Sequence, residues 1–140
     1  MYQLIYYSTA DATLTKGDIN SILTQARTFN AKNDISGCLL FHEGFFLQIL
    51  EGEETIVKEL YEKIKKDTRH SGIKFLVDGE TKERAFNKWS MAYRELDAND
   101  LDEISKMLLD ENLVSLSEVT ANPTHATRIF WHMAQEFIKG

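Results

Sequence analysis

ISGCLLFHEGFFLQILEGE, residues 35–53, holds two apolar runs, ISGCLLFH and FFLQILE, separated by Glu43-Gly44. Two such runs joined by two residues ending in glycine read as a β-hairpin. Within each run the apolar residues are consecutive rather than alternating, so the sheet they enter needs cover on both faces. Gln48 interrupts the second run. A primary amide carries two donors and a two-lone-pair acceptor, and burying it unpaired costs roughly 1–3 kcal/mol. The fold must therefore bring a partner to Gln48.

Working outward, YQLIYYS (Tyr2–Ser8) reads as a strand bounded by the polar TADAT. Thr15 and Asp18 are spaced as a capping box, and Ile19, Ile22, Leu23 and Ala26 recur at helical spacing up to about Asn30. After the hairpin, EETIVKELYEKIKKD carries an apolar stripe of Ile56, Val57, Leu60, Tyr61 and Ile64. Its charges fall into the i,i+4 pairs Glu54–Lys58, Glu59–Lys63 and Glu62–Lys66, a solvated helix face. IKFLVDG reads as a fourth strand and KWSMAYREL as a fifth, with Trp89 and Met91 at its start.

The order βαββαββ predicts an α+β, ferredoxin-like sandwich: a five-stranded mixed sheet with two helices on one face. Residues 1–96 are expected to form this domain. Residues 97–140 are expected to form a helical extension of two helices, ANDLDEISKMLLDE and THATRIFWHMAQEFIKG, packing on the second sheet face or on a partner. The stripe of the last helix is Ala126, Ile129, Phe130, Met133 and Phe137.

Composition narrows the function. With 16 basic against 22 acidic residues the net charge is −6, which argues against direct nucleic-acid binding. No segment approaches the roughly 20 apolar residues of a membrane span, and the N-terminus lacks the basic and apolar regions of a signal peptide. The single cysteine, Cys38, excludes an intrachain disulfide and suits a reducing compartment. A cytoplasmic protein is expected. No phosphate loop, dinucleotide fingerprint, nucleophile elbow or metal-ligand spacing is present, so no enzyme activity and no metal are expected.

Polar or soft side chains at core-like places stand out instead: Tyr6, Asn30, Gln48, Trp89 and Met91. Each has an ordinary explanation, as a packing aromatic, a helix C-cap or a gap-filling thioether. In this fold, however, the first and third strands are central neighbours, so Tyr6 and Gln48 can face each other on the helix-covered side. Ile22 and Ile64 lie on the inner stripes of the two helices and could sandwich a flat ring. Apolar walls with a few convergent polar groups are the usual makeup of a cofactor site.

The motifs LIYYS, NDISGCLLFHEGFFLQILEGE, KIKKDTRH and FNKWSM, in this order over residues 2 to about 95, resemble the BLUF family of blue-light sensors that use FAD. The resemblance implies FAD as cofactor, with FMN or riboflavin as alternatives. It also implies roles. Tyr6 would give an electron and then a proton to the photoexcited flavin. Gln48 would stand between that phenol and the ring edge. Asn30 would bond the polar rim, and Ile22 and Ile64 would clasp the ring faces. Asp67, Arg69 and His70 would lie near the ribityl and phosphate end, and Trp89 and Met91 would rearrange beside the glutamine. Phe29 stands where many relatives carry a polar residue, so one flavin contact is expected to be missing. Tyr7 should point to the opposite face from Tyr6.

With no catalytic domain following the sensor, the expected output is altered binding to a separate regulatory protein; a homo-oligomer (a dimer or larger ring) is also expected. The other readings are a dark flavoprotein reductase, disfavoured by the missing nicotinamide fingerprint, and a ligand-binding regulatory module without flavin.

Overall fold

The structure, a computed structural model, describes residues 1–86, 90–97, 100, 101, 104 and 125–139. Trp89 and most of the helix expected at 98–111 lie outside the described residues.

The chain runs β1 (Tyr2–Ala10), α1 (Lys16–Lys32), β2 (Ser36–His42), β3 (Phe45–Gly52), α2 (Glu54–Lys65), β4 (His70–Glu80), β5 (Ala92–Glu95) and, among the described residues, α3 (His125–Lys139). One five-stranded sheet has the order β4-β1-β3-β2-β5. All neighbours are antiparallel except β2 and β5, which are parallel. This is the mixed sheet of an α+β fold.

The hairpin forms as the sequence predicts. Glu43 and Gly44 both take positive φ, 45° and 84°, the backbone that two-residue hairpin turns require. Gly37 has a different reason to be glycine: a Cβ there would stand 2.1 Å from the Ile49 carbonyl oxygen across the hairpin. The Thr15–Asp18 capping box also forms, with Asp18 N–H donating to Thr15 Oγ1 at 3.1 Å and Thr15 N–H to Asp18 Oδ2 at 2.9 Å.

Three local expectations are corrected. The first helix does not close at Asn30; it continues to Lys32 and is capped by Asn33, whose amide donates to the Phe29 carbonyl at 2.8 Å. Of the three i,i+4 pairs predicted on α2, Glu54–Lys58 forms at 2.6 Å. Glu62 instead meets Lys65, three residues on rather than four, and Lys63 lies 5.0 Å from the Phe29 ring centroid, because α1 brings an aromatic face within its reach. Finally, β5 begins at Ala92, so Met91 precedes it rather than opening it. The carbonyls of Ser90 and Met91 are taken by side chains of α1, and the ladder with β2 starts only after them.

Strand alternation divides the core into two. Toward α1 and α2 point Tyr2, Leu4, Tyr6, Leu39, Phe46 and Leu50, packed with Ile19, Leu23, Val57 and Met91. Toward the other face point Ile5, Cys38, Leu40, Leu47 and Ile49, covered by Ala126, Phe130, Trp131 and Ala134 of α3. Tyr7 faces this second side, its ring edge-on to Phe137 at 5.6 Å. Burial pushes the Cys38 thiol up, which leaves it a packing residue.

Candidate functional site

Between α1, α2 and the sheet lies a cavity of about 230 Å³. Its walls are apolar: Ile22, Ala26 and Phe29 from α1, Leu60 and Ile64 from α2, and Leu39, Phe46 and Leu50 from the sheet. Ile22 of α1 and Ile64 of α2 both reach this lining. The polar groups on its lining are Tyr6, Gln25, Asn30, Gln48, Lys63, Asp67, Arg69 and His70. The structure thus brings Tyr6, Ile22, Asn30, Gln48, Ile64, Asp67, Arg69 and His70 to one cavity. Met91 is not on the lining but stands directly behind Gln48, and Trp89 lies outside the described residues.

Tyr6 and Gln48 are paired residues in the β1–β3 register, so their side chains leave the sheet side by side. The Tyr6 hydroxyl donates to Gln48 Oε1, and Gln48 Nε2 donates to the Met91 sulfur at 3.4 Å. The amide that seemed unpaired in the sequence is held at both ends. Burial pushes the Tyr6 phenol far above its ordinary range, with Tyr61 and Asp67 adding to it, so the hydroxyl keeps its proton. The Tyr61 ring lies 5.5 Å from the Tyr6 ring.

Asn30 is 1% exposed. Its Nδ2 donates to the Ser90 carbonyl at 2.7 Å, while its Oδ1 is buried with no hydrogen-bond partner. A buried acceptor left alone costs roughly 1–3 kcal/mol, so this oxygen is short of a partner.

At the far end, Asp67 and Arg69 form a fork, with Nε to Oδ1 and Oδ2 both at 3.0 Å and Nη2 to Oδ2 at 2.5 Å. These bonds from Arg69 hold the Asp67 carboxyl below the usual carboxylate range. His70 Nε2 lies 2.6 Å from the Ile64 carbonyl, which can only accept, so that nitrogen carries the proton. Nδ1 is left to meet Ser8 Oγ at 2.8 Å. His70 therefore braces α2 against β1.

Sequence reasoning missed two participants. Arg27 Nε donates to the Met91 carbonyl at 3.1 Å, a long-range contact that no local pattern announces. Glu51 is fully buried and accepts from Gln3 Nε2, Ser36 Oγ and the backbone N–H groups of Ala85 and Phe86. Its signal was present, a charge at the end of an apolar strand, but it reads equally as the strand boundary.

Known proteins similar to this chain point to one family. The family model described as "Sensors of blue-light using FAD" (BLUF) matches residues 1–92. The chain is 34% identical over 89 residues to the photoactivated adenylate cyclase subunit beta of Euglena longa, covering 63% of this chain and 10% of that protein. It is 32% identical over 93 residues to the blue light- and temperature-regulated antirepressor BluF of Escherichia coli (strain K12), covering 66% of this chain and 23% of that protein. The chain thus spans from a tenth to about a quarter of the length of these curated relatives. Among solved structures, the photo-activated state of BlsA matches with a TM-score of 0.71 and 31% identity, over 99% of this chain and 95% of that one.

Proposed function

Because the chain belongs to the BLUF family of blue-light sensors that use FAD, we propose that it is a photoreceptor holding FAD between α1 and α2 and reading excitation through Tyr6, Gln48 and Met91. The hydrogen-bonded row Tyr6–Gln48–Met91 beside an apolar cavity is the observation that carries this reading.

The residues fit the cofactor. Ile22 and Ile64 would hold the two faces of the ring. Asn30 Oδ1 would accept from the ring's imide N–H, which gives that buried oxygen its partner. Asp67, Arg69 and His70 would stand toward the ribityl and phosphate end, and Phe29 would add an apolar contact to the lining. Bound there, FAD supplies a ring that absorbs blue light and, once excited, takes up an electron and a proton.

Tyr6 is suited to provide both. A phenol that has lost an electron becomes strongly acidic, and the Tyr6 proton already lies on the bond to Gln48. Gln48 can exchange its donor and acceptor ends without changing charge. Its nitrogen is held by a thioether, a weaker acceptor than the oxygen that receives the Tyr6 hydroxyl at the other end, so this is the end that releases. In the exchanged arrangement Gln48 would donate into the cavity, where a new bond to the ring carbonyl shifts absorption to the red. Met91, together with Trp89, would then rearrange and pass the change to β5.

The output in this reading is non-enzymatic: the two states differ in affinity for a separate protein. Cyclase activity belongs, by name, to the longer Euglena relative. No helix among the described residues is long and apolar enough to cross a membrane.

The test is Tyr6→Phe, read by absorption. The variant should bind FAD and stay yellow, yet lose the reversible red shift that blue light gives the wild type. A normal shift in the variant would remove Tyr6 from the mechanism, and bleaching of the wild type by NAD(P)H in the dark would favour a reductase instead.

A further inference from the structure

Two side chains one turn apart on α1 hold consecutive carbonyls of the segment entering β5. Asn30 Nδ2 takes Ser90 O at 2.7 Å and Arg27 Nε takes Met91 O at 3.1 Å. On its other side the same Met91 receives Gln48 Nε2 on its sulfur at 3.4 Å. Arg27 is exposed and does not line the cavity, whereas Met91 is 1% exposed. A guanidinium bond to a carbonyl is charge-assisted and stronger than an amide bond to a thioether. The position of Met91 is therefore set from α1 more than from Gln48.

We propose that Arg27 is a positioning residue that fixes the Met91 backbone so that its sulfur meets the Gln48 amide, and that it thereby governs how fast the light-adapted arrangement returns to the dark one. The inference rests on the reading of Gln48 and Met91 given above. Asn30 cannot serve this purpose alone, since its oxygen belongs to the cavity and its nitrogen reaches only Ser90. With Arg27 absent, the returning amide finds no fixed sulfur, the dark arrangement loses stability relative to the other, and recovery slows.

Arg27→Ala removes the donor at an exposed position with a good helix former, so the fold is spared. Two readouts separate positioning from bulk stability. In the protein as purified, kept dark and labelled at its methionine methyls, the sequence gives four methionine signals, and that of Met91 is assigned by Met91→Leu. Arg27→Ala should move or broaden the Met91 signal while leaving that of Met133 in place, and Arg27→Lys, which can still donate, should restore it. After a blue flash, dark recovery of the Arg27→Ala protein should slow ~10-fold, with the lysine variant near wild type. An unmoved Met91 signal, or recovery within twofold of wild type or faster, overturns the proposal. If the wild type shows no light-induced shift at all, the photoreceptor reading fails, while the methyl signal still decides what Arg27 holds.

Discussion

Replacing Glu51 with glutamine swaps one oxygen of a buried acceptor for a nitrogen donor and changes almost nothing in volume. The carboxylate receives four bonds: Gln3 Nε2 at 3.0 Å and Ala85 N–H at 2.9 Å on one oxygen, Ser36 Oγ at 2.9 Å and Phe86 N–H at 2.6 Å on the other. Whichever way the new amide turns, its nitrogen faces a backbone N–H, Phe86 on the Ser36 side or Ala85 on the Gln3 side; the hydroxyl or the Gln3 amide can turn to accept, but a backbone N–H cannot. One backbone N–H is therefore orphaned, at a cost of roughly 1–3 kcal/mol, and the remaining bonds weaken as a charged acceptor gives way to a neutral one. A total loss of ~3 kcal/mol is expected, against about 5–15 kcal/mol for a whole domain. At this chain length that lowers Tm by about 10 °C. Urea unfolding followed by tryptophan fluorescence measures it directly, and an unchanged m-value would show that the unfolding remains one transition. A loss under about 1 kcal/mol would mean that these four bonds do not hold residues 85 and 86 to the sheet.

Gly37→Ala sets a methyl 2.1 Å from the Ile49 carbonyl oxygen, so the β2–β3 ladder must part. A loss above ~3 kcal/mol is expected in thermal unfolding by circular dichroism, and a variant melting within a few degrees of wild type would contradict it. Arg69 holds the Asp67 carboxyl low in the folded state, so the folded chain binds that proton more weakly than the unfolded one. The stability this brings is present above about pH 4 and is lost as pH falls through the folded value. Asp67→Asn should therefore flatten the fall of unfolding free energy between pH 4 and pH 2.5; equal slopes in both proteins would exclude the pair as an acid-sensitive contact.

What could be read in the sequence was what depends on near neighbours. The Glu43-Gly44 turn, the Thr15–Asp18 box and the alternation that separates Tyr6 from Tyr7 are all local geometry, and each appears in the structure. Gln48 was conspicuous because an amide among leucines demands a partner, and strand order then pointed to Tyr6. The β5 start, the bend of Lys63 toward Phe29 and the Arg27 bond to Met91 were hidden for one reason: each depends on where α1 lies relative to a segment some 34 to 64 residues away. Glu51 combines both cases. Its chemistry was visible, but its donors come from positions 3, 36, 85 and 86, which only the closed sheet gathers.

A sheet covered on both sides has no spare surface to offer. Leu47 and Ile49, the neighbours of Gln48 along β3, belong to the core that Phe130 and Trp131 seal. Any protein that came to read the sheet from that side would be competing with α3 for the same ground. Exposing those two rings would cost roughly 1.5–3 kcal/mol apiece. The helix is in this sense a tenant: a visitor to that face must evict it, and the ease of eviction sets the threshold at which the face becomes available.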